Sequence, residues 1–71
     1  MNKYYYYIEV MNLCNVQQSE EIVFASEYFD TEKEAIKFFK QMISYMNKFY
    51  AAYLVQIEQE SLNLVKRKLL L

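Results

Sequence analysis

Polar and apolar positions alternate with two different periods along this chain, and the change of period divides it into elements. From Thr31 to Phe49 (TEKEAIKFFKQMISYMNKF) the period is helical. At about 100° per residue, Lys33, Lys37, Lys40, Gln41, Ser44, Asn47 and Lys48 fall on one narrow arc. Ala35, Ile36, Phe38, Phe39, Met42, Ile43, Tyr45, Met46 and Phe49 fill the other side, an apolar arc roughly 180° wide. Thr31 with Glu34 three residues on forms a capping box that starts the helix, and Glu32 and Glu34 suit its positive end. Asn47-Lys48 supplies an exit, although no glycine or proline enforces one.

Elsewhere the period is two, the mark of strands. In Lys3–Asn12 (KYYYYIEVMN), Tyr4, Tyr6, Ile8 and Val10 face one way and Lys3, Tyr5, Tyr7 and Glu9 the other. Ile8 and Val10 identify the core side. Leu13–Ser19 is mostly polar and reads as a connection, with Asn15 the best candidate for a left-handed residue. Glu20–Phe29 (EEIVFASEYF) is a second strand, with Ile22, Phe24 and Tyr28 opposite Val23, Ala25 and Glu27. Apolar residues on both sides predict a central strand.

Beyond Tyr50, two readings compete. In one, Tyr53, Val55 and Ile57 alternate with Leu54, Gln56 and Glu58; the polar Gln59-Glu60-Ser61 breaks the run, and the alternation resumes over Leu62–Leu69. In the other, Ala51, Val55, Leu62, Val65 and Leu69 share a helical stripe, with Glu58 in its middle. The hairpin fits better. The expectation is an α+β fold of order ββαββ, an antiparallel sheet of about four strands with one amphipathic helix across a single face, in one domain over residues 1–71.

Composition adds constraints. With 71 residues the chain buries only about 60% of its unfolded surface, so a stabilising device or a partner is expected. One cysteine excludes an internal disulfide, and the absence of histidine leaves few zinc ligands. Self-association or a partner remains. A lone thiol, no leader-like segment and no long apolar window predict a soluble, cytoplasmic protein with no membrane role. The formal net charge of −1 gives no strong global field. Glycine and proline are both absent, while Phe, Tyr, Ile, Asn and Lys abound, which an AT-rich gene explains.

Catalytic chemistry has little to work with. The commonest general base and the glycine-rich phosphate loops are missing, Cys14 has no activating neighbour, and Glu20, Glu21, Glu58 and Glu60 read as solvated. We expect no enzyme and no cofactor. Lys33, Lys37, Lys40 and Lys48 form a stripe, joined by the Lys66-Arg67-Lys68 cluster. These are candidate phosphate contacts for a nucleotide or nucleic acid, although a solvated helix back would look the same.

The sheet face away from the helix is the stronger candidate. Tyr5, Tyr7, Val23, Ala25 and Leu54 are expected there, with Phe38, Tyr45 and Phe49 flanking one edge of the helical arc. Contiguous apolar area marks interfaces, and tyrosine suits them because its hydroxyl stays satisfied when wet. Tyr5, Tyr7, Leu54, Phe38 and Tyr45 are therefore the expected contacts for a protein partner or for a homo-oligomer. A structural subunit of a larger assembly is a third class.

In size, AT-rich composition, capped single helix (DTEKEAIKFF) and flanking hairpins, the chain resembles the small accessory proteins of low-GC bacteriophages and other mobile elements. These include inhibitors of bacterial defence systems such as CRISPR. The resemblance implies a non-catalytic protein that occupies a surface of a larger host protein or sequesters a signal nucleotide. No residue role comes with it.

Overall fold

A computed structural model describes residues 3–12, 21–45 and 50–71. The elements run β1 (Tyr4–Asn12), β2 (Glu21–Ala25), α1 (Glu32–Met42), a 3-10 turn (Ile43–Tyr45), β3 (Tyr50–Glu58) and β4 (Leu64–Leu69). The strands form one antiparallel sheet in the order β2-β1-β3-β4, and the helix lies on one face, as the α+β, ββαββ reading expects. The hairpin reading of the last segment holds. No helix among the described residues is long and apolar enough to cross a membrane.

Register sets which side chains share a face, because opposed residues in an antiparallel pair point the same way. Ile8 opposes Leu54 and Val10 opposes Ala52, and all four join Ala35 and Phe39 of α1 in the core. Tyr5 opposes Ile57, Tyr7 opposes Val55, Glu9 opposes Tyr53 and Met11 opposes Ala51 on the uncovered face. The alternation expected for β1 is therefore correct. Leu54 is not on the uncovered face: it is 2% exposed, beneath the helix. Alternation along β3 has no readable phase because both its faces are apolar, and the pairing with Ile8 decides it.

β2 is an edge strand rather than a central one. Val10 opposes Phe24 and Met11 opposes Ile22, so Val23 is an extra, bulged residue. The bulge puts Ile22 and Phe24 on different faces, against the expected alternation. Its apolar residues need no second neighbour strand, since Phe24 stacks on Phe38 of the helix at 6.2 Å between ring centroids. Past Ala25 the strand stops. The Ile8 amide donates to the Ser26 hydroxyl at 2.8 Å, and the Ser26 amide donates to the Ile8 carbonyl at 2.8 Å. A side-chain oxygen thus replaces a ladder carbonyl. Pairing resumes where Phe29 and Tyr6 exchange both amide bonds, at 2.7 and 2.9 Å, leaving Glu27 and Tyr28 outside the ladder.

The helix begins where the capping box places it. Thr31 Oγ1 accepts from the Glu34 amide at 3.2 Å and donates to Glu34 Oε1 at 3.1 Å. Asp30 shares an open cleft with Tyr4 and Gln59, so the helix starts at the β3–β4 turn end of the sheet and runs the same way as β1. It ends earlier than Phe49: regular turns stop at Met42, and the 3-10 turn carries Tyr45, which is 86% exposed. Past Met42 the apolar arc loses its cover, since Ile43 is exposed together with Tyr45. The expected exit at Asn47-Lys48, with Met46 and Phe49, lies outside the described residues, as do Cys14, Asn15 and Glu20.

The β3–β4 turn makes a left-handed backbone without glycine, at Leu62 (φ 61°). Its amide donates to the Glu58 carbonyl at 2.8 Å, and the Glu58 amide donates to the Asn63 carbonyl at 3.0 Å. Ser61 Oγ reinforces the turn, accepting from the Asn63 amide at 3.1 Å and donating to Glu58 Oε1 at 3.0 Å.

Candidate protein-interaction face

The sheet face opposite the helix has an aliphatic floor and a lid of long side chains. Val55 is 2% exposed and Ile57 is also buried, although no secondary-structure element among the described residues lies over them. Their cover is local. Tyr5 and Tyr7 stand directly across from Ile57 and Val55. The Tyr28 ring, carried by the two residues outside the ladder, stacks on Tyr5 at 5.1 Å and 25° and leans on Tyr7 at 5.5 Å and 36°. Such ring pairs contribute about 0.5–1.5 kcal/mol beyond area burial. Tyr28 itself is 51% exposed.

Arg67 covers the other half. It opposes Val55 from β4, and its guanidinium lies 3.7 Å from the centroid of the Tyr53 ring. It reaches across β3 to Glu9 on β1, donating from Nε to Oε1 at 3.0 Å and from Nη2 at 2.9 Å. Nη2 also contacts Met11 Sδ. Glu9 is 8% exposed, and a carboxylate at that depth requires a partner. The planar guanidinium can lie flat on an aromatic ring and keep its edge donors for the carboxylate, which an ammonium cannot do. Arg67 is thus a strap across three strands.

The pair leaves an electrostatic mark nearby. Burial, then the Glu9 carboxylate and Tyr28, raise the Tyr7 phenol above its ordinary pKa, with Arg67 opposing.

The expected interface residues separate into distinct places. Tyr5 and Tyr7 meet on this face, joined by Tyr28, Tyr53 and Arg67. Leu54 lies in the core. Phe38 sits at the seam between helix and β2, against Phe24 and, at 5.5 Å, Phe29. Tyr45 projects into solvent at the end of the 3-10 turn. Sequence reasoning missed three members. Tyr28 was assigned to a strand face, although Ser26 could have signalled the break. The Arg67–Glu9 contact spans 58 residues and has no local signature.

Lys33, Lys37 and Lys40 lie exposed on the outer side of α1, away from this face, and Lys48 lies outside the described residues. No group of three or more acidic, cysteine or histidine side chains among the described residues is arranged to hold a metal ion. No protein-family model matches the chain, and neither a curated protein nor a solved structure matches it.

Proposed function

We propose that this chain is a small, non-catalytic interaction protein of the cytoplasm that binds a larger protein through the face bearing Tyr5, Tyr7, Tyr28, Tyr53 and Arg67. Blocking a host factor, as the phage-type accessory proteins it resembles do, is the role we assign to that binding. Self-association accompanies it. One observation carries the reading: half-exposed aromatic rings and an arginine are already locked over a sealed aliphatic floor. Tyrosine and arginine dominate binding hot spots, and side chains held in place before contact lose little freedom on binding. Exposed Ile22 and Val23 at one sheet edge and Leu64 and Leu69 at the other extend the apolar area.

The test uses Tyr28→Ser with Tyr5→Ser, compared with wild type by sedimentation velocity and by capture from bacterial lysate. Loss of association and of captured protein, with an unchanged circular-dichroism spectrum, is expected. A wild type that sediments as a monomer and captures nothing overturns the reading. So does a double variant that behaves like wild type in both assays.

A further inference from the structure

Register assigns the exposed apolar side chains of both sheet edges to the tyrosine face. Ile22 opposes Met11 on β1, and Leu64 and Leu69 oppose Ile57 and Tyr53 on β3. All three therefore project on the same side as Tyr5, Tyr7 and Arg67. Each is more than half exposed, as is Tyr28, whereas Met11, Ala51, Val55 and Ile57 between the edges are buried. Of the residues that strand pairing places on this face, only Glu9 and Arg67 are charged, and they neutralise each other at 2.9 Å. The face is thus broad, apolar at its rim and closed to further charge.

Size narrows what can cover it. Strands of 9, 5, 9 and 6 residues, at about 3.3 Å per residue and about 4.8 Å apart, make a face about 19 Å wide and about 450 Å² in plan. A specific interface buries at least about 1,000 Å² over its two partners. Even with the relief of the side chains, contact has to run over nearly the whole face to reach that. A docked helix, about 10 Å across, would cover about half the width, and an extended peptide less. A second copy of the same sheet matches the area. It also matches the shape, since sheets of equal twist pack aligned, at about 30° and about 10 Å apart. No unpaired charge comes with it, because the ion pair of each copy is closed within that copy.

The rim decides the orientation. Tyr28 and Leu64 lie toward the end of the sheet that carries the β3–β4 turn, since Phe29 bridges Tyr6, and Leu64 is level with Tyr5 through Ile57. Ile22 and Leu69 lie toward the other end, level with Met11 and Glu9. A two-fold axis parallel to the strands lays β2 of one copy over β4 of the other. Tyr28 then meets Leu64 of the second copy, and Ile22 approaches its Leu69, twice over by symmetry. We propose that the occupant of this face in the free protein is a second copy of the chain, laid face to face about that axis. The proposal rests on reading this face as the interaction site. The helices lie outermost and the tyrosines are hidden, so a larger protein competes with self-association for one surface. An interface this small belongs to the transient class, with micromolar or weaker affinity.

Sedimentation velocity of the full chain, from about 5 to about 500 μM, reads the dimer as a rise from 8.7 kDa toward twice that mass. Leu64→Lys and Tyr28→Glu should each weaken it more than about a hundredfold, because each spoils two symmetric contacts worth about tenfold or more apiece. Mixed in equal amounts, the two variants should associate again. One contact of the mixed dimer keeps the native tyrosine and leucine, and the other joins the new carboxylate to the new ammonium. Ile22→Glu with Leu69→Lys forms a second complementary pair for the same axis, should either first variant fail to give the wild-type circular-dichroism spectrum. Lys37→Glu, on the outer side of α1, should change nothing. A wild type that stays monomeric up to about 500 μM overturns the proposal. So does a mixture of folded variants that stays monomeric, since an axis across the strands would set Tyr28 on Ile22 instead. A captured protein that sediments with the dimer intact overturns the shared face. A monomer that captures a larger protein defeats the dimer and leaves the function proposed above standing, whereas a dimer that captures nothing upholds the dimer and removes that partner.

Discussion

Arg67→Met separates what the Arg67 strap does by charge from what it does by covering surface. Methionine keeps an apolar stem over Val55 but removes the guanidinium from Glu9 and from the Tyr53 ring. Truncating one partner of a fully buried ion pair costs about 3–5 kcal/mol, and breaking an exposed pair costs under about 1 kcal/mol. Here the Glu9 side chain is 11% exposed and that of Arg67 is 32% exposed, so the pair falls between these limits. Discounted for that solvent contact, the charge loss comes to about 1.5–2.5 kcal/mol, and the cation–π contact adds about 0.5–1 kcal/mol. A total near 2–3 kcal/mol is a large share of the stability of a domain this small. For a chain of this length it lowers Tm by about 8–20 °C.

Urea unfolding followed by circular dichroism, at a temperature where the variant is still folded, measures the loss. Arg67→Ala should cost about 1 kcal/mol more, because the stem over Val55 goes as well. Glu9→Gln completes a double-mutant cycle, with a coupling of about 1–2 kcal/mol expected from the direct pair. If Arg67→Met unfolds within about 0.5 kcal/mol of wild type with an unchanged urea slope, the strap does not hold the face together. The sealed floor of Val55 and Ile57 would then need another cause.

Three further outcomes follow from single contacts. Ser26→Ala strands the amide of fully buried Ile8 and should cost about 1–3 kcal/mol, with faster hydrogen exchange at that amide as the local readout. Leu62→Gly should stabilise by about 1 kcal/mol or slightly less, since a leucine at φ 61° bears a strain that glycine does not; a destabilised variant would refute that strain. The raised Tyr7 pKa makes the folded state hold its proton more tightly than the unfolded one. Its contribution is complete below about pH 10, the unfolded value, and is lost as pH rises through the higher folded value. Tyr7→Phe should therefore flatten the alkaline fall of Tm, and parallel curves for the two proteins would contradict the assignment.

Legibility in the sequence followed the number of faces each element buries. β1 could be read residue by residue because Ile8 and Val10 alternate with a polar glutamate, and the helix start could be read because Thr31 and Glu34 interact locally. Where both faces are apolar, alternation fixes a strand but not its phase, which is why Leu54 was assigned to the wrong side. β2 looked central for the same reason, although Phe24 gets its cover from the helix and Tyr28 from a break in the strand. The helix end had no stop signal, since Ile43, Ser44 and Tyr45 neither terminate a helix nor favour one strongly. The strap depends on the pairing of β3 with both β1 and β4. It is not written in any window of neighbouring residues.

These features share one origin in the alternation of β4. A strand at the sheet edge has a neighbour on one side only, and all six of its residues are exposed, so its side chains serve the surfaces of both faces. Val55 opposite Arg67 puts the one planar cation on the face where a buried carboxylate and a tyrosine ring await it. The flanking Lys66 and Lys68 necessarily point to the other face, the helix side of the sheet. A one-residue slip of β4 against β3 would reverse both assignments at once and strand Glu9. The bulge between Gln56 and Ile57 pins the register near the turn, and the paired bonds of Ala52 with Leu70 and Leu71 pin it at the other end. The fold thus stabilises its uncovered face through the register of its edge strand.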